Sequence, residues 1–147
     1  MRNLVSPERA KYMNIGQRPM IKKHTLLIFA PWKGLITMAQ SLTKVYIHQV
    51  FSTKHRQNIL TSDIQPELYS YLGGICKNME CYPIKIGGHT DHVHILCLLS
   101  KKITLIKLLE EEKRSSSKWI KTKGERFANF HWQDGYGAFS VNPADIR

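Results

Sequence analysis

The stretch Thr90-Asp91-His92-Val93-His94-Ile95-Leu96-Cys97-Leu98-Leu99 predicts a central strand that carries two histidines two residues apart. Alternate residues of a strand point to the same face of its sheet, so His92 and His94 project side by side and the odd-numbered apolar residues face the other way. Because Leu96 and Leu98 continue the histidine face, we expect the strand to be buried on both sides, where an unliganded polar pair is costly. Two neutral imidazoles held in this way can bind one divalent metal ion and leave its other positions open for a phosphate.

The alternative is a chance occurrence, because seven histidines in 147 residues make a bare His-x-His motif weakly specific. The context favours the metal site. Gly87-Gly88 marks a turn just before the strand, and apolar residues occupy the opposite face and continue the histidine face. We therefore interpret His92 and His94 as metal ligands.

The chain carries a net charge of +11, which indicates a polyanionic partner such as nucleic acid or an anionic membrane surface. The charge is unevenly placed. Residues 1–37 hold seven Lys and Arg against one Glu, and residues 38–147 hold 15 against ten acidic residues. The three cysteines cannot all pair and show no Cys-x-x-Cys spacing, which favours a reducing, cytosolic setting over a zinc ribbon or a disulfide scaffold.

The periodic, domain-like pattern begins only after Met38. We therefore predict one domain over residues 38–147, preceded by a leader over residues 1–37 that is disordered or reflects a mis-assigned start. The apolar stretch at residues 26–32 is far too short to span a membrane. It starts late for a signal sequence, and no clear small-residue cleavage site follows it. We expect no membrane partner.

Within residues 38–147 the periodicities predict six elements. They are a strand over 44–51, a helix over 65–79 capped by Asp63, a strand over 82–89, the histidine strand, a helix over 105–121 capped by Thr104, and a strand over 136–141. The order β-α-β-β-α-β predicts an α+β fold, a ferredoxin-like split βαβ sandwich with a central antiparallel sheet and helices on one face. Its first and third strands lie adjacent at the sheet centre, which brings His48 toward the histidine pair.

The second predicted helix is amphipathic. We assign to its buried side Leu105, Ile106, Leu108, Leu109, Trp119 and Ile120. We assign to its solvent side Glu110, Glu111, Glu112, Lys113, Arg114, Lys118 and Lys121. Acidic residues early and basic residues late also suit the helix dipole, so part of this charge pattern is structural.

Candidate DNA-binding side chains fall into two basic groups and two aromatic residues. The basic residues are Lys54, His55 and Arg56 in a polar loop after the first strand, and Lys113, Arg114 and Lys118 on the second helix. Contacts from such residues to phosphates give salt-dependent affinity without base specificity. For the helix group, an ordinary solvated face is the equal alternative. Trp132 and Tyr136 could stack on bases, with packing as the alternative role.

Four stretches together resemble the single-tyrosine HUH transposases of the insertion-sequence-200 type, including the relatives associated with bacterial palindromic repeats. The matching stretches are Ile47-His48-Gln49-Val50-Phe51-Ser52-Thr53-Lys54-His55-Arg56, Gly88-His89-Thr90-Asp91-His92-Val93-His94-Ile95-Leu96, Lys113-Arg114-Ser115-Ser116-Ser117-Lys118-Trp119-Ile120 and Trp132-Gln133-Asp134-Gly135-Tyr136-Gly137-Ala138-Phe139-Ser140-Val141. They occur in order between Met38 and the C-terminus, and residues 1–37 have no counterpart.

The resemblance implies an enzyme that cuts and rejoins single-stranded DNA at sites chosen by a nearby hairpin. A tyrosine attacks the scissile phosphate and leaves a 5′-phosphotyrosine link and a free 3′-hydroxyl. His92 and His94 would bind Mg²⁺ or Mn²⁺, which stabilises the charge that develops on the phosphate. The resemblance further implies a homodimer that acts on DNA in the bacterial cytoplasm.

One departure from the family pattern concerns the nucleophile. In the family it lies on a helix after the fourth strand, together with a glutamine metal ligand. This sequence ends at Arg147, where that helix is expected to start, so we expect a C-terminally truncated domain. Tyr136 is the candidate substitute, although the match places it in the strand motif.

Two other functions stay open. The first is a catalytically inactive, truncated nucleic-acid-binding module, which metal independence would distinguish from the enzyme. The second is a two-histidine phosphoesterase, whose chemistry requires two separated His-x-Thr or His-x-Ser motifs. The sequence contains no such pair.

Overall fold

The computed structural model describes residues 42–146. Its main elements, in chain order, are β1 (Tyr46–Ser52), α1 (Gln65–Asn78), β2 (Tyr82–Gly88), β3 (His92–Leu98), α2 (Leu105–Ile120) and β4 (Gly137–Val141). Each of the six predicted elements is present, with boundaries shifted by up to two residues. The predicted leader over residues 1–37 and the start at Met38 lie outside the described residues. Within residues 42–146, no helix has the length and apolar content needed to cross a membrane.

The four strands form one antiparallel sheet in the order β2-β3-β1-β4. This order confirms the α+β, split βαβ architecture, with β1 and β3 adjacent at the centre. In the register between them, Val50 pairs with His94 and His48 pairs with Leu96. His48 is therefore the diagonal neighbour of His94 on one face of the sheet, as the topology predicts.

The hydrophobic core lies on the other face of the sheet, under the two helices. Val93, Ile95 and Cys97 of β3 are fully buried there. They belong to one cluster with apolar residues of both helices, including Leu72 of α1 and Leu108 of α2. The histidine face is only half-buried along β3. The expectation that β3 is buried on both sides is therefore wrong within the described residues, because both helices cover the same face.

One predicted helix cap is confirmed and the other is wrong. The Thr104 side chain accepts a hydrogen bond from the backbone N–H of Lys107 at 3.3 Å, as an N-cap does. At α1 the N-cap position is Ile64, which makes no capping bond through its side chain. The Asp63 carboxylate is instead hydrogen-bonded by the Thr61 hydroxyl and by Arg126, and these partners draw it away from the helix end.

The assignment of faces on α2 needs two corrections. Ile106 is 49% exposed, and Glu112, which we assigned to solvent, is fully buried. The buried stripe runs through Leu108, Glu112, Ser116 and Ile120, which share a helix face at four-residue spacing. Charge alone suggested an outward position for Glu112, but the helical period places it over the sheet.

Buried Glu112 has polar partners that also lie in the core. Its Oε1 accepts hydrogen bonds from Cys76 Sγ at 3.3 Å and from Gln49 Nε2 at 3.4 Å. Glu112 Oε2 and Gln49 Oε1 are buried and have no hydrogen-bond partner among the described residues. Burial raises the pKa of Glu112 to about 7 from an ordinary value of 4.5. This carboxyl group therefore lowers the free energy of unfolding at any pH at which it is ionised in the unfolded chain.

We expect Glu112→Gln to stabilise the protein in a pH-dependent way. Between pH 4.5 and 7 the unfolded state loses the Glu112 proton while the folded state keeps it, so the free energy of unfolding of the native protein falls as pH rises and levels off above 7. The variant should match the native protein near pH 4.5 and exceed it at pH 8 by on the order of 3 kcal/mol. Urea unfolding at a series of pH values measures this difference.

Glu110→Gln is the matched control, because Glu110 is exposed on the same helix. It should leave stability within about 0.5 kcal/mol of the native value at every pH. A stability difference for Glu112→Gln that does not change with pH would contradict the buried, protonated carboxyl group.

Candidate metal centre and nucleic-acid cleft

The two histidines of β3 lie side by side, as the strand pattern predicts. The ring centroids of His92 and His94 are 4.9 Å apart and the rings meet edge to face. His92 Nδ1 donates a hydrogen bond to Asp91 Oδ1 at 2.6 Å. Arg56 Nε donates to the other oxygen of the same carboxylate at 2.9 Å. These two contacts hold the pKa of Asp91 below its ordinary value and fix the His92 ring.

The second histidine of the pair has a different partner. His94 Nδ1 lies 2.9 Å from His48 Nε2 of β1, and the two share a hydrogen bond. Burial, together with the neighbouring His92 and His48, lowers the pKa of His94, so the ring is neutral at pH 7. A neutral imidazole is the form that binds a metal.

The donor set fits a divalent metal ion at the Nε2 atoms of His92 and His94. Each Nδ1 is held by a partner, an arrangement typical of histidines that ligate metals. Within the part of the chain that the structure describes, no group of three His, Cys, Asp or Glu side chains could hold a metal ion. A metal ion bound here would take two nitrogen ligands from the described residues, and its remaining ligands would be others, such as water or phosphate oxygens.

A cleft of about 420 Å³ opens beside the two histidines. Its lining includes Arg56, Gln133 and Tyr136 as well as His92 and His94. Two of the candidate residues, Arg56 and Tyr136, are thus brought to the histidine pair by the fold. Tyr136 is 47% exposed.

The basic loop after β1 is a short 3-10 turn over Lys54–Arg56 that places its three side chains differently. His55 and Arg56 both have positive φ, 55° and 54°, which costs free energy in residues other than glycine. The turn is held by a hydrogen bond from the His55 backbone N–H to Gln133 Oε1 at 3.2 Å. It directs Arg56 to Asp91, leaves His55 exposed, and sets Lys54 3.7 Å from Asp134 in an ion pair.

Lys113 of α2 binds the backbone of the loop that leads into β4. Its ammonium donates hydrogen bonds to the backbone carbonyls of Gln133 at 2.7 Å and Gly135 at 2.8 Å, with Asp134 O at 3.3 Å. It also lies 6.0 Å from the Tyr136 ring centroid. An ammonium has three donors, so these contacts give Lys113 a structural role, and its contact with phosphate stays a prediction.

The remaining DNA-binding candidates lie away from the histidines. Arg114 and Lys118 are exposed and do not line the 420 Å³ cleft, and Arg114 forms an ion pair with Glu111. Trp132 is only 7% exposed. Its indole N–H donates to Ser116 Oγ at 2.9 Å, so the ring packs in the core and is not available to stack on a base.

Sequence reasoning missed two residues of the site. Asp91 was detectable, because an acidic residue directly before His92 in a half-buried strand suggests a partner for the imidazole. Gln133 was not, since its role depends on a bond to the His55 backbone across 78 residues of sequence. Both residues position groups that line the cleft.

Fold and site together define an α+β domain that presents paired histidines beside an open cleft. The sequence model of the family described as "Transposase IS200 like" matches residues 41–147. The chain therefore belongs to the IS200-like transposase family.

Two solved structures are similar to this chain, and the first of them shares its fold. A crystal structure of a proposed transposase from Deinococcus radiodurans R1 is 17% identical, with a TM-score of 0.64 over 74% of this chain and 88% of that chain. A structure of a REP-associated tyrosine transposase bound to a REP hairpin is 14% identical, with a TM-score of 0.49 over 74% of this chain and 63% of that chain. A search of curated proteins finds no match.

We expect Lys113→Met to loosen the loop over residues 133–136. The substitution keeps the apolar stem but leaves the carbonyl oxygens of Gln133 and Gly135 without their donor. The free energy of unfolding should fall by about 2 kcal/mol, measured by urea denaturation. Lys118→Met on the exposed side of the same helix is the control and should change stability by less than about 0.5 kcal/mol. Equal effects of the two substitutions would rule out the structural role of Lys113.

Proposed function

We propose that this domain binds single-stranded DNA in the 420 Å³ cleft and breaks and rejoins its backbone with the help of a divalent metal ion at His92 and His94. The observation that carries the proposal is the hydrogen bonding of both imidazoles through Nδ1. A neutral histidine that donates through Nδ1 has an unprotonated Nε2 that can bind the metal. Membership of the transposase family supports the choice of DNA as substrate.

The metal ion would be Mg²⁺ or Mn²⁺, and when bound it would polarise a backbone phosphate and stabilise its developing negative charge. Two imidazoles with oxygen atoms at the remaining positions form a mixed nitrogen and oxygen ligand set. Mg²⁺ is bound in proteins mainly through oxygen, which makes Mn²⁺ the better probe of this site.

Arg56 is the residue best placed to contact the DNA backbone. Its side chain is 70% exposed although it is paired with Asp91, and it lines the cleft with the histidines. A guanidinium has five donors, so contact with the carboxylate leaves donors for a phosphate. The net charge of +11 supports binding of a polyanion in general.

Tyr136 is the nucleophile we propose to test, because it lines the cleft with His92 and His94. Its phenol would lose its proton to water and attack a backbone phosphorus, forming a phosphotyrosine link as the P–O bond to the 3′-oxygen breaks. That oxygen leaves as the free 3′-hydroxyl after taking up a proton. We further propose hairpin DNA as the preferred target, a homodimer as the active form, and the bacterial cytoplasm as the site of action.

A second candidate function is DNA binding without cleavage. It is favoured by the set of only two metal-ligating side chains within residues 42–146. The two functions differ in whether a covalent intermediate forms.

We expect the protein to form a covalent adduct with hairpin-bearing single-stranded DNA in the presence of Mn²⁺, detected on a denaturing gel. His92→Ala should abolish the adduct, because it removes one of the two metal ligands, and Tyr136→Phe should abolish it by removing the attacking oxygen. His131→Ala, at an exposed histidine outside the cleft lining, is the control and should retain it. Binding without an adduct would establish the second function, and the absence of both would reject the proposal.

We expect Arg56→Gln to weaken binding to single-stranded DNA measured in EDTA, where no metal contributes. Loss of one phosphate contact should lower the slope of log affinity against log salt concentration by about 0.7. Arg114→Gln, which changes an exposed arginine outside the cleft, should leave the slope unchanged. Fluorescence anisotropy at several salt concentrations provides both values, and equal slopes for Arg56→Gln and the native protein would remove Arg56 from the interface.

A further inference from the structure

We propose that His48 is a positioning residue that holds His94 in the tautomer able to bind the metal ion. In this arrangement His94 Nδ1–H donates to His48 Nε2, and the unprotonated Nε2 of His94 is available to the metal. The inference rests on the proposed metal site and assigns a role to a residue on another strand.

The two central strands of the sheet position the contact between His48 and His94. His48 and His94 occupy diagonal positions on the neighbouring strands β1 and β3, on the half-buried face. Their ring planes are inclined by 23° to each other, and the ring centroids are 5.1 Å apart. The hydrogen bond between them is 2.9 Å long. Both strands are central, so each has a hydrogen-bonded neighbour on either side, and this pairing fixes the backbone positions of the two histidines.

His92 has a carboxylate as its Nδ1 partner, where His94 has the imidazole of His48. His92 donates its Nδ1 proton to the Asp91 carboxylate, which only accepts when ionised. That contact leaves the Nε2 of neutral His92 unprotonated. His94 makes its Nδ1 contact to an imidazole, which can either donate or accept, so the direction of one hydrogen bond decides whether His94 can be a ligand.

The two directions have opposite consequences for the metal. If His48 Nε2 carried the proton and donated, neutral His94 would keep its own proton on Nε2 and could not bind a metal there. If His48 accepts, both Nε2 atoms of the pair are unprotonated at once. Only the second direction gives the paired ligands that the proposed function requires.

A neutral acceptor also suits the surroundings of His94. His48 and His94 line a hollow of about 370 Å³ together with Lys85 and the apolar Leu96 and Val141. A carboxylate in the place of His48 would bring a second negative charge, beside that of Asp91, close to a site that has to accept a phosphate. An imidazole fixes the ring without that repulsion.

The test is to measure the tautomer of His94 and the affinity for Mn²⁺ in three forms of the full chain. They are the native protein, His48→Phe, which keeps an aromatic ring but removes the acceptor, and His48→Gln, whose side-chain oxygen can accept from His94. Two-bond ¹H–¹⁵N NMR spectra of the metal-free protein at neutral pH report which nitrogen is protonated, and calorimetry reports Mn²⁺ binding. Circular dichroism spectra check that each variant is folded.

We expect native His94 to be protonated on Nδ1, and His48→Phe to shift the proton toward Nε2 and weaken Mn²⁺ binding by about 10- to 100-fold. His48→Gln should restore both properties. Native His94 protonated on Nε2, or equal Mn²⁺ affinity and tautomer in His48→Phe, would overturn the inference. If His48→Phe does not fold, the inference is tested by the tautomer of native His94 and by the tautomer and Mn²⁺ affinity of His48→Gln.

The readouts separate this inference from the proposed function. If the native protein shows the expected tautomer but binds no Mn²⁺, the metal site fails while the hydrogen-bond direction stands. If the native protein binds Mn²⁺ and His92→Ala does not, but His48→Phe binds as the native protein does, the metal site stands and the role of His48 fails.

Discussion

The antiparallel pairing of β1 with β3 is the constraint on which the rest of the structure depends. It joins Phe51 to Val93 in the core, and it sets His48 diagonal to His94 on the opposite face. Because side chains alternate along a strand, a slip of one residue in this register would turn the histidines toward the helices and the core residues toward solvent. Fold and site are therefore fixed by the same backbone hydrogen bonds.

The local periodicity of the sequence was sufficient to predict the elements and their order. Strand alternation identified the two faces of β3, and the position of His48 followed from the topology alone. Periodicity could not show which sheet face the helices cover, because Leu96 and Leu98 are apolar on the half-buried histidine face. The prediction of a strand buried on both sides failed for that reason.

The positions and roles that we assigned from the chemical character of a side chain alone were the least predictable. Glu112 was assigned to solvent because it is charged, yet it lies in the core beside Gln49 and Cys76. Trp132 was assigned to DNA because it is aromatic, yet its indole bonds to Ser116 of α2. Lys113 was assigned to phosphate, yet its donors bind loop carbonyls. In each case the decisive partner is distant in sequence, so no local pattern could reveal it.

The site combines rigid and strained parts, and Arg56 links them. The histidines stand on a central strand, whereas Arg56 belongs to a turn with two consecutive residues at positive φ, a conformation that persists only where its surroundings hold it. The hydrogen bonds from the His55 backbone N–H to Gln133 and from Arg56 to Asp91 stabilise this conformation. Since Asp91 also orients His92, one carboxylate joins the residue that we propose to contact the DNA backbone to a proposed metal ligand. Under the proposed function, a phosphate bound by Arg56 would lie beside the histidine pair, which would give the strained turn a role beyond stability.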